Sequence, residues 1–219
     1  MTNNFWDELM GTTESAGTYM LSYGEGPGSD TRIQLSAMLK EGESVLDVGC
    51  GPGWNLDHFS QFGPKISKYK GVDYSRRFVK AANKRLRIEN TEKFTDIDVR
   101  QFEKQDCRKL KEANQSWDVV IIQDCLEHTN GYEEPIREAL RVAKEKVIVT
   151  FWHLTENDDH INDDGNDGYG AWYSRPKWEQ FLNTFPYPWT HTESKPGDNR
   201  QHDFYLIEKT TKGGRIFDA

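Results

Sequence analysis

The stretch VLDVGCGPGWN, residues 45–55, decides how this chain folds. An apolar, β-favouring run interrupted by a single acid, Asp47, ends in glycines at alternate positions, Gly49, Gly51 and Gly53. Glycine lets a chain turn tightly out of a strand and brings bare backbone close to a ligand. The dinucleotide fingerprint G-x-G-x-x-G would need glycine at position 54, where Trp54 stands, so the third glycine comes one residue early. Asp47, two residues before the first glycine, would repel a pyrophosphate and attract an ammonium group. Twenty residues after Gly53, Asp73 closes the run GVD, where an acid accepts both hydroxyls of a ribose. The pattern calls for a ligand with a ribose and an ammonium group and without a phosphate.

Outward from that turn, β-rich runs alternate with amphipathic stretches. The runs are SVLDVG (44–49), KYKGVD (68–73), IDVRQF (97–102), WDVVIIQ (117–123) and KVIVTFW (146–152). This is the β/α alternation of a parallel sheet, and VVIIQ is apolar at successive positions, as a strand covered on both faces requires. Ser75 is placed to cap a helix over 75–90, and Pro135 falls early in a second helix over 131–144. A further helix is expected in RPKWEQFLN, 175–183, and two β-like runs on either side of PGDN (196–199) predict a terminal antiparallel hairpin. Residues 153–173 are too polar and glycine-rich for a core element and predict a long acidic, aromatic surface loop, while 210–219 read as a flexible tail.

The chain has 219 residues, enough for one well-buried domain, with residues 1–40 as an N-terminal cap or lid. Tyr19 and Tyr23, with Gly24, Gly26 and Gly28 as hinges, would fold over the ligand; a merely packed arm is the alternative. Three cysteines without CxxC spacing argue against a disulfide framework or a structural zinc site. A formal charge of -8 speaks against a phosphate backbone as partner, so nucleic acid is unlikely. No apolar run is long enough for a membrane span, and the first residues carry no secretory pattern, so a cytoplasmic location is expected.

A ribose joined to an amino-acid ammonium describes S-adenosylmethionine. With D-V-G-C-G-x-G as first motif, the chain resembles the class I S-adenosylmethionine-dependent methyltransferases, of the broad small-molecule group. The resemblance implies a Rossmann-like, seven-stranded, mostly parallel sheet with helices on both faces and a C-terminal antiparallel hairpin. It implies a cofactor site in which Asp47, Gly49, Cys50, Gly51 and Gly53 line the methionine part. Asp73, followed by Tyr74, would hold the ribose, Asp106 and Cys107 the adenine, and Gln123 would approach the methionine portion. The segment QDCLEH, 123–128, looks like the strand-four motif of the same group. Plainer readings stand beside these: glycines that only close a corner, Asp106 as a solvated loop acid, and Cys107 and Cys125 as small buried residues.

The sulfonium already activates its methyl group, so the protein has mainly to align an acceptor and exclude water. Where the acceptor loses a proton, Asp124, His128 and His153 stand near strand ends as candidate bases, and Tyr173 joins them from the loop. His128 and Asp124 have structural alternatives, and His160, His191 and His202 have weaker claims, the last two because a hairpin residue readily faces solvent. The acids and rings of 153–173 suit a cationic amine through charge and cation–π contact, a divalent metal, or only water. The spacing fits neither an EF-hand nor the metal-dependent catechol-type enzymes, so no metal is assigned. The acceptor is taken as a small-molecule oxygen or nitrogen. A protein or RNA acceptor, or a cofactor-binding protein without turnover, is the alternative; the oligomeric state is not legible.

Overall fold

In the computed structural model, the described residues are 29–89, 97–99, 102–162, 170–194 and 202–209. Residues 1–28 of the proposed lid, with Tyr19, Tyr23 and their glycines, the acids Asp163, Asp164 and Asp167 with Tyr169, the PGDN turn and the tail lie outside them.

Helix α1 (Asp30–Ala37) precedes β1 (Ser44–Val48), α2 (Trp54–Gln61), β2 (Lys68–Asp73) and α3 (Arg76–Glu89). Two short pieces, β3 (Asp98–Val99) and β4 (Glu103–Lys104), lead to β5 (Trp117–Gln123), a 3-10 turn at Leu126–His128, α4 (Glu133–Val142) and β6 (Ala143–Phe151). The sheet runs β10-β11-β6-β5-β1-β2-β3, with β4 also paired to β2. All pairs are parallel except those made by β11 (His202–Glu208), which lies antiparallel between β6 and β10 (Trp189–Ser194). This is the expected mostly parallel Rossmann-like sheet with its reversed hairpin. The third predicted strand is the exception: it forms two fragments on β2, so eight strands fill seven positions.

Each element follows from its residues. β1 and the run Val119–Gln123 of β5 are buried at every position, because helices cover both faces. The Ser75 hydroxyl accepts from Phe78 N–H and starts α3, as its position predicted. In α4, Ile136, Ala139 and Leu140, spaced three and four apart, point inward while Glu133, Glu134 and Arg137 stay outside. The core lies in two clusters, one on each side of the sheet: Val45, Ile121, Ile148 and Phe204 belong to one, Leu46, Val120, Val149 and Tyr205 to the other.

The 153–173 segment departs from its reading as a plain loop. β7 (Leu154–Thr155), β8 (His160–Asn162) and β9 (Gly170–Ser174) form a small three-stranded sheet, ordered β7-β9-β8. Its apolar residues explain why: Leu154, Ala171 and Tyr173 are buried against the main core. Ser174 then caps α5 (Arg175–Leu182) by accepting from Lys177 N–H. Among the described residues no helix is long and apolar enough to cross a membrane.

Candidate active site

The site is built where the parallel strands end. Gly49, Gly51 and Gly53 all take the left-handed conformation, with φ of 76°, 53° and 86°. A Cβ on Gly49 would lie 2.4 Å from Cys125 Sγ, and one on Gly53 would lie 2.9 Å from the Phe102 ring, so these two glycines serve close packing. A Cβ on Gly51 would meet nothing within 4 Å. The middle glycine is the one whose surroundings leave space for a ligand.

The turn amides are already committed. Gly49 and Cys50 N–H donate to the Val72 carbonyl, Gly53 N–H to the Cys50 carbonyl, and Gly51 N–H to Asp73 Oδ2 at 2.9 Å. A pyrophosphate cradle needs such groups aimed outward. Trp54, in place of the fingerprint glycine, stacks under the Arg85 guanidinium at 3.8 Å, and Arg85 in turn binds the Pro52 carbonyl and the Asp57 carboxylate.

Asp47 does not stand at an open mouth; it is fully buried beneath the turn. Its Oδ2 accepts from Tyr69 Oη and Asn55 Nδ2, while Oδ1 is buried with no hydrogen-bond partner among the described residues. Burial pushes this carboxyl up to about 6, against the lowering by those two bonds and by Arg32. Asp73 accepts from Ser75 N–H through Oδ1 at 2.7 Å and from Gly51 through Oδ2, which locks the β2 end to the turn. Tyr74 beside it is exposed, with Lys104 Nζ 4.6 Å from its ring centre.

Asp106 is held by Arg108, whose Nε and Nη2 reach Oδ1 and Oδ2 at 3.0 and 2.7 Å. This pairing keeps its carboxyl below the usual range. Cys107 hydrogen-bonds Cys125, and that bond, then burial, raises the Cys125 thiol. Cys50 is also raised, by burial and by the Asp73 charge, so neither it nor Cys125 is an activated nucleophile. Through Gly49–Cys125–Cys107 and Gly51–Asp73, the first motif, the β2-end acid, the Asp106–Cys107 segment and QDCLEH meet at one edge.

Next to them, Gln123 is buried at the end of β5, its Oε1 without a partner among the described residues. Asp124 follows with φ +46, an uncommon conformation for a residue with a side chain, held because its N–H and Oδ1 both bond the Thr150 hydroxyl. Glu127, which sequence reasoning passed over, is entirely buried; Oε1 accepts from Trp152 N–H at 2.8 Å and Oε2 has no partner among the described residues. Burial first, then the Asp124 charge, raises its carboxyl well above normal. The signal was a second acid, three residues after Asp124 and directly behind Cys125 and Leu126, in DCLEH.

The candidate bases separate. His153 is exposed at the carboxyl edge of β6, and His128 ends the 3-10 turn half-buried. Tyr173 leaves the chemistry: it is buried, and its hydroxyl donates to the Thr129 carbonyl at 2.6 Å and accepts from Gly131 N–H, pinning that loop. His202 does not face solvent; it is buried beside Asp124. Its strand lies between two others in a sheet covered on both faces, so alternation gives no solvent side. Among the described residues, His191, Glu193 and Asp203 bring metal-type ligand atoms within 4.8 Å of one another. Arg175 fills that cluster, 2.7 Å from Asp203 and 3.1 Å from Glu193, so a guanidinium sits where a cation would.

A methyltransferase-domain family model matches residues 20–189. The chain belongs to the class I S-adenosylmethionine-dependent methyltransferases. Over 118 residues it is 31% identical to norajmaline N-methyltransferase of Rauvolfia serpentina, covering 52% of this chain and 38% of that protein. An uncharacterised methyltransferase of Schizosaccharomyces pombe is 29% identical over 133 residues, 61% of this chain and 42% of its own length. The matched stretches thus span about two fifths of these relatives. Phosphoethanolamine N-methyltransferase 2 of Haemonchus contortus, in complex with phosphomonomethylethanolamine and S-adenosylhomocysteine, shares the fold with a TM-score of 0.70 at 16% identity. That match covers 96% of this chain and 60% of the other. Within this methyltransferase, the motif-bearing edge from Gly49 to Gln123 has an open space over Gly51, a buried Asp47 oxygen without a partner among the described residues and an acid at the β2 end, features compatible with such a cofactor.

Proposed function

We propose that this methyltransferase binds S-adenosylmethionine across the glycine turn and methylates a small-molecule acceptor, with an amine nitrogen as the reacting atom. The observation that carries the cofactor half is the set of committed turn amides beside Asp73, which suits a ribose and rejects a pyrophosphate. Asp47 Oδ1 would face the ammonium, Asp73 the ribose hydroxyls, Tyr74 and Asp106 the adenine, and Gln123 the methionine chain. Bound there, the cofactor supplies a sulfonium-activated methyl group.

The amine half rests on what surrounds the β5 and β6 ends. Asp124 places a part-exposed acid there, and Trp152 and Trp172 stack edge to face at 6.0 Å with the His160 ring 5.4 Å from that of Trp172. Acids draw a cation in, and ring faces add about 0.5–2 kcal/mol each. The relatives named above that act on amines support the same reading. His153, exposed at this edge, is the residue we assign to proton removal, with His128 behind it. The acidic balance of the chain weighs against RNA as acceptor.

The test is a panel of amines and matched alcohols, assayed with S-adenosylmethionine in the presence and absence of a chelator. Methylation of amines, insensitive to chelator, is the expected result. Turnover confined to hydroxyl acceptors would overturn the amine assignment, and loss with chelator restored by magnesium would overturn the metal-free one. Cofactor binding without turnover of any acceptor, protein included, would make the chain a binding protein.

A further inference from the structure

His202 is buried to 1% exposure, yet both of its ring nitrogens lack a hydrogen bond among the described residues. A side chain kept only for packing would be apolar, since a buried polar group without partners lowers stability. Its place in the fold is specific. β11 runs antiparallel to β6, so its first residue stands at the edge where the parallel strands end. Ile121, Ile148 and Phe204 share one core face, and side chains two apart along a strand share a face, so Gln123, Thr150 and His202 form one polar row. Gln123 pairs with Thr150, and Thr150 with Phe204, across the three neighbouring strands.

Asp124 is the tip of that row. Its Oδ2 lies 3.5 Å from Gln123 Nε2 and 3.6 Å from His202 Nε2, and its Oδ1 accepts from Thr150 Oγ1 at 2.6 Å. Its side chain is 17% exposed, the others in the row being buried. One carboxylate in a left-handed backbone is thus faced by three side chains from three strands, Gln123, Thr150 and His202.

We propose that His202 is a positioning residue of the acceptor site: its ring fixes the direction of the Asp124 carboxylate, which receives an N–H of the methyl acceptor. Gln123 and Thr150 hold the same carboxylate from its other sides. This rests on the small-molecule amine reading above, but the same carboxylate would receive a hydroxyl hydrogen, so the two stand or fall separately.

The experiment compares His202→Leu and His202→Gln with wild type, using the best acceptor from the amine and alcohol panel and S-adenosylhomocysteine as the cofactor-site probe. Leucine should raise the acceptor KM at least tenfold, with kcat within threefold and S-adenosylhomocysteine affinity unchanged. Glutamine, whose amide donates to Asp124, should recover most of that loss. An acceptor KM within twofold of wild type in the leucine variant, or equal losses in both variants, would overturn the proposal, as would a loss of S-adenosylhomocysteine affinity matching the loss in KM. If the wild type methylates only alcohols, the amine reading fails while the His202 comparison proceeds unchanged.

Should the leucine variant not fold, or no acceptor turn over, 15N-histidine NMR of the S-adenosylhomocysteine-bound protein decides. Methylammonium, titrated as the probe, should shift the His202 ring nitrogens in wild type and not in Asp124→Asn. No response in wild type, or the same response in both, would overturn the proposal.

Discussion

Around Gly49 to Gly53 the turn amides are all committed, to the Val72 and Cys50 carbonyls and to Asp73, and the space left open is the empty volume over Gly51. Around Asp124, two strands away from β2 in the same sheet, Gln123 Oε1, Glu127 Oε2 and both nitrogens of His202 are buried without a hydrogen bond among the described residues. In the first region the backbone groups of the turn are committed, and beneath it Asp47 Oδ1 and Asn55 Oδ1 are buried without a hydrogen bond among the described residues. The second holds unsatisfied groups whose burial lowers stability, the mark of a site where function sets the residue. A cofactor that is the same in every turnover suits the first, and an acceptor that must be gripped and released suits the second.

The largest way to break this contrast is at the glycines. Gly49→Ala places a methyl on the Cys125 sulfur and strains a φ of 76°, so it should lower stability by about 2–5 kcal/mol in urea unfolding. Gly51→Ala meets no neighbour and should lose only about 1–2 kcal/mol from its positive φ, while weakening cofactor binding. Equal stability losses would show that the open space over Gly51 is not what separates the two positions.

The pH profile sharpens the same contrast. Asp47 keeps its proton up to about 6 when folded and to about 4 when unfolded, so between those values the native state holds more protons. Stability of the cofactor-free protein should therefore fall as pH rises from about 4 to about 6, by roughly 3 kcal/mol at most, and then level off. The raised Glu127 carboxyl extends the fall to higher pH. Asp47→Asn should flatten the lower part of the curve, as read from urea melts across that range, and an unaltered slope would contradict the burial argument.

A smaller effect separates two residues that the sequence left side by side. Tyr173→Phe removes a hydroxyl that ties Thr129 to Gly131 and should reduce stability by about 1–2 kcal/mol with kcat within twofold. His153→Ala should leave stability within about 0.5 kcal/mol, because the ring is exposed, and lower kcat with the amine acceptor. Steady-state kinetics beside thermal melts of both variants reads this directly.

Much of the first region was legible because its logic is local: three glycines, one acid before them and one twenty residues after fix a turn and two strand ends. The sheet order followed from β/α alternation and the terminal turn signal. What the sequence hid depends on contacts between distant elements. Asp47 reads as an acid at the mouth of a turn, and only the packing of Tyr69 and Asn55 places it underneath. Tyr173 looked chemical in a polar stretch until its burial against Tyr132 and Thr129 was in view. His202 looked solvent-facing because hairpins commonly have a wet side, and this strand lies between two others.

The central claim is that the β1–β2 edge is shaped for S-adenosylmethionine. Titration calorimetry with S-adenosylmethionine and with NAD, on wild type and Asp73→Ala, tests it most directly. The account predicts that wild type binds S-adenosylmethionine more tightly than NAD, and that a folded Asp73→Ala protein loses about 2–4 kcal/mol of that affinity, the worth of two charge-assisted hydrogen bonds. Unchanged affinity in the folded variant would contradict the ribose assignment, and tighter binding of NAD would contradict the claim itself.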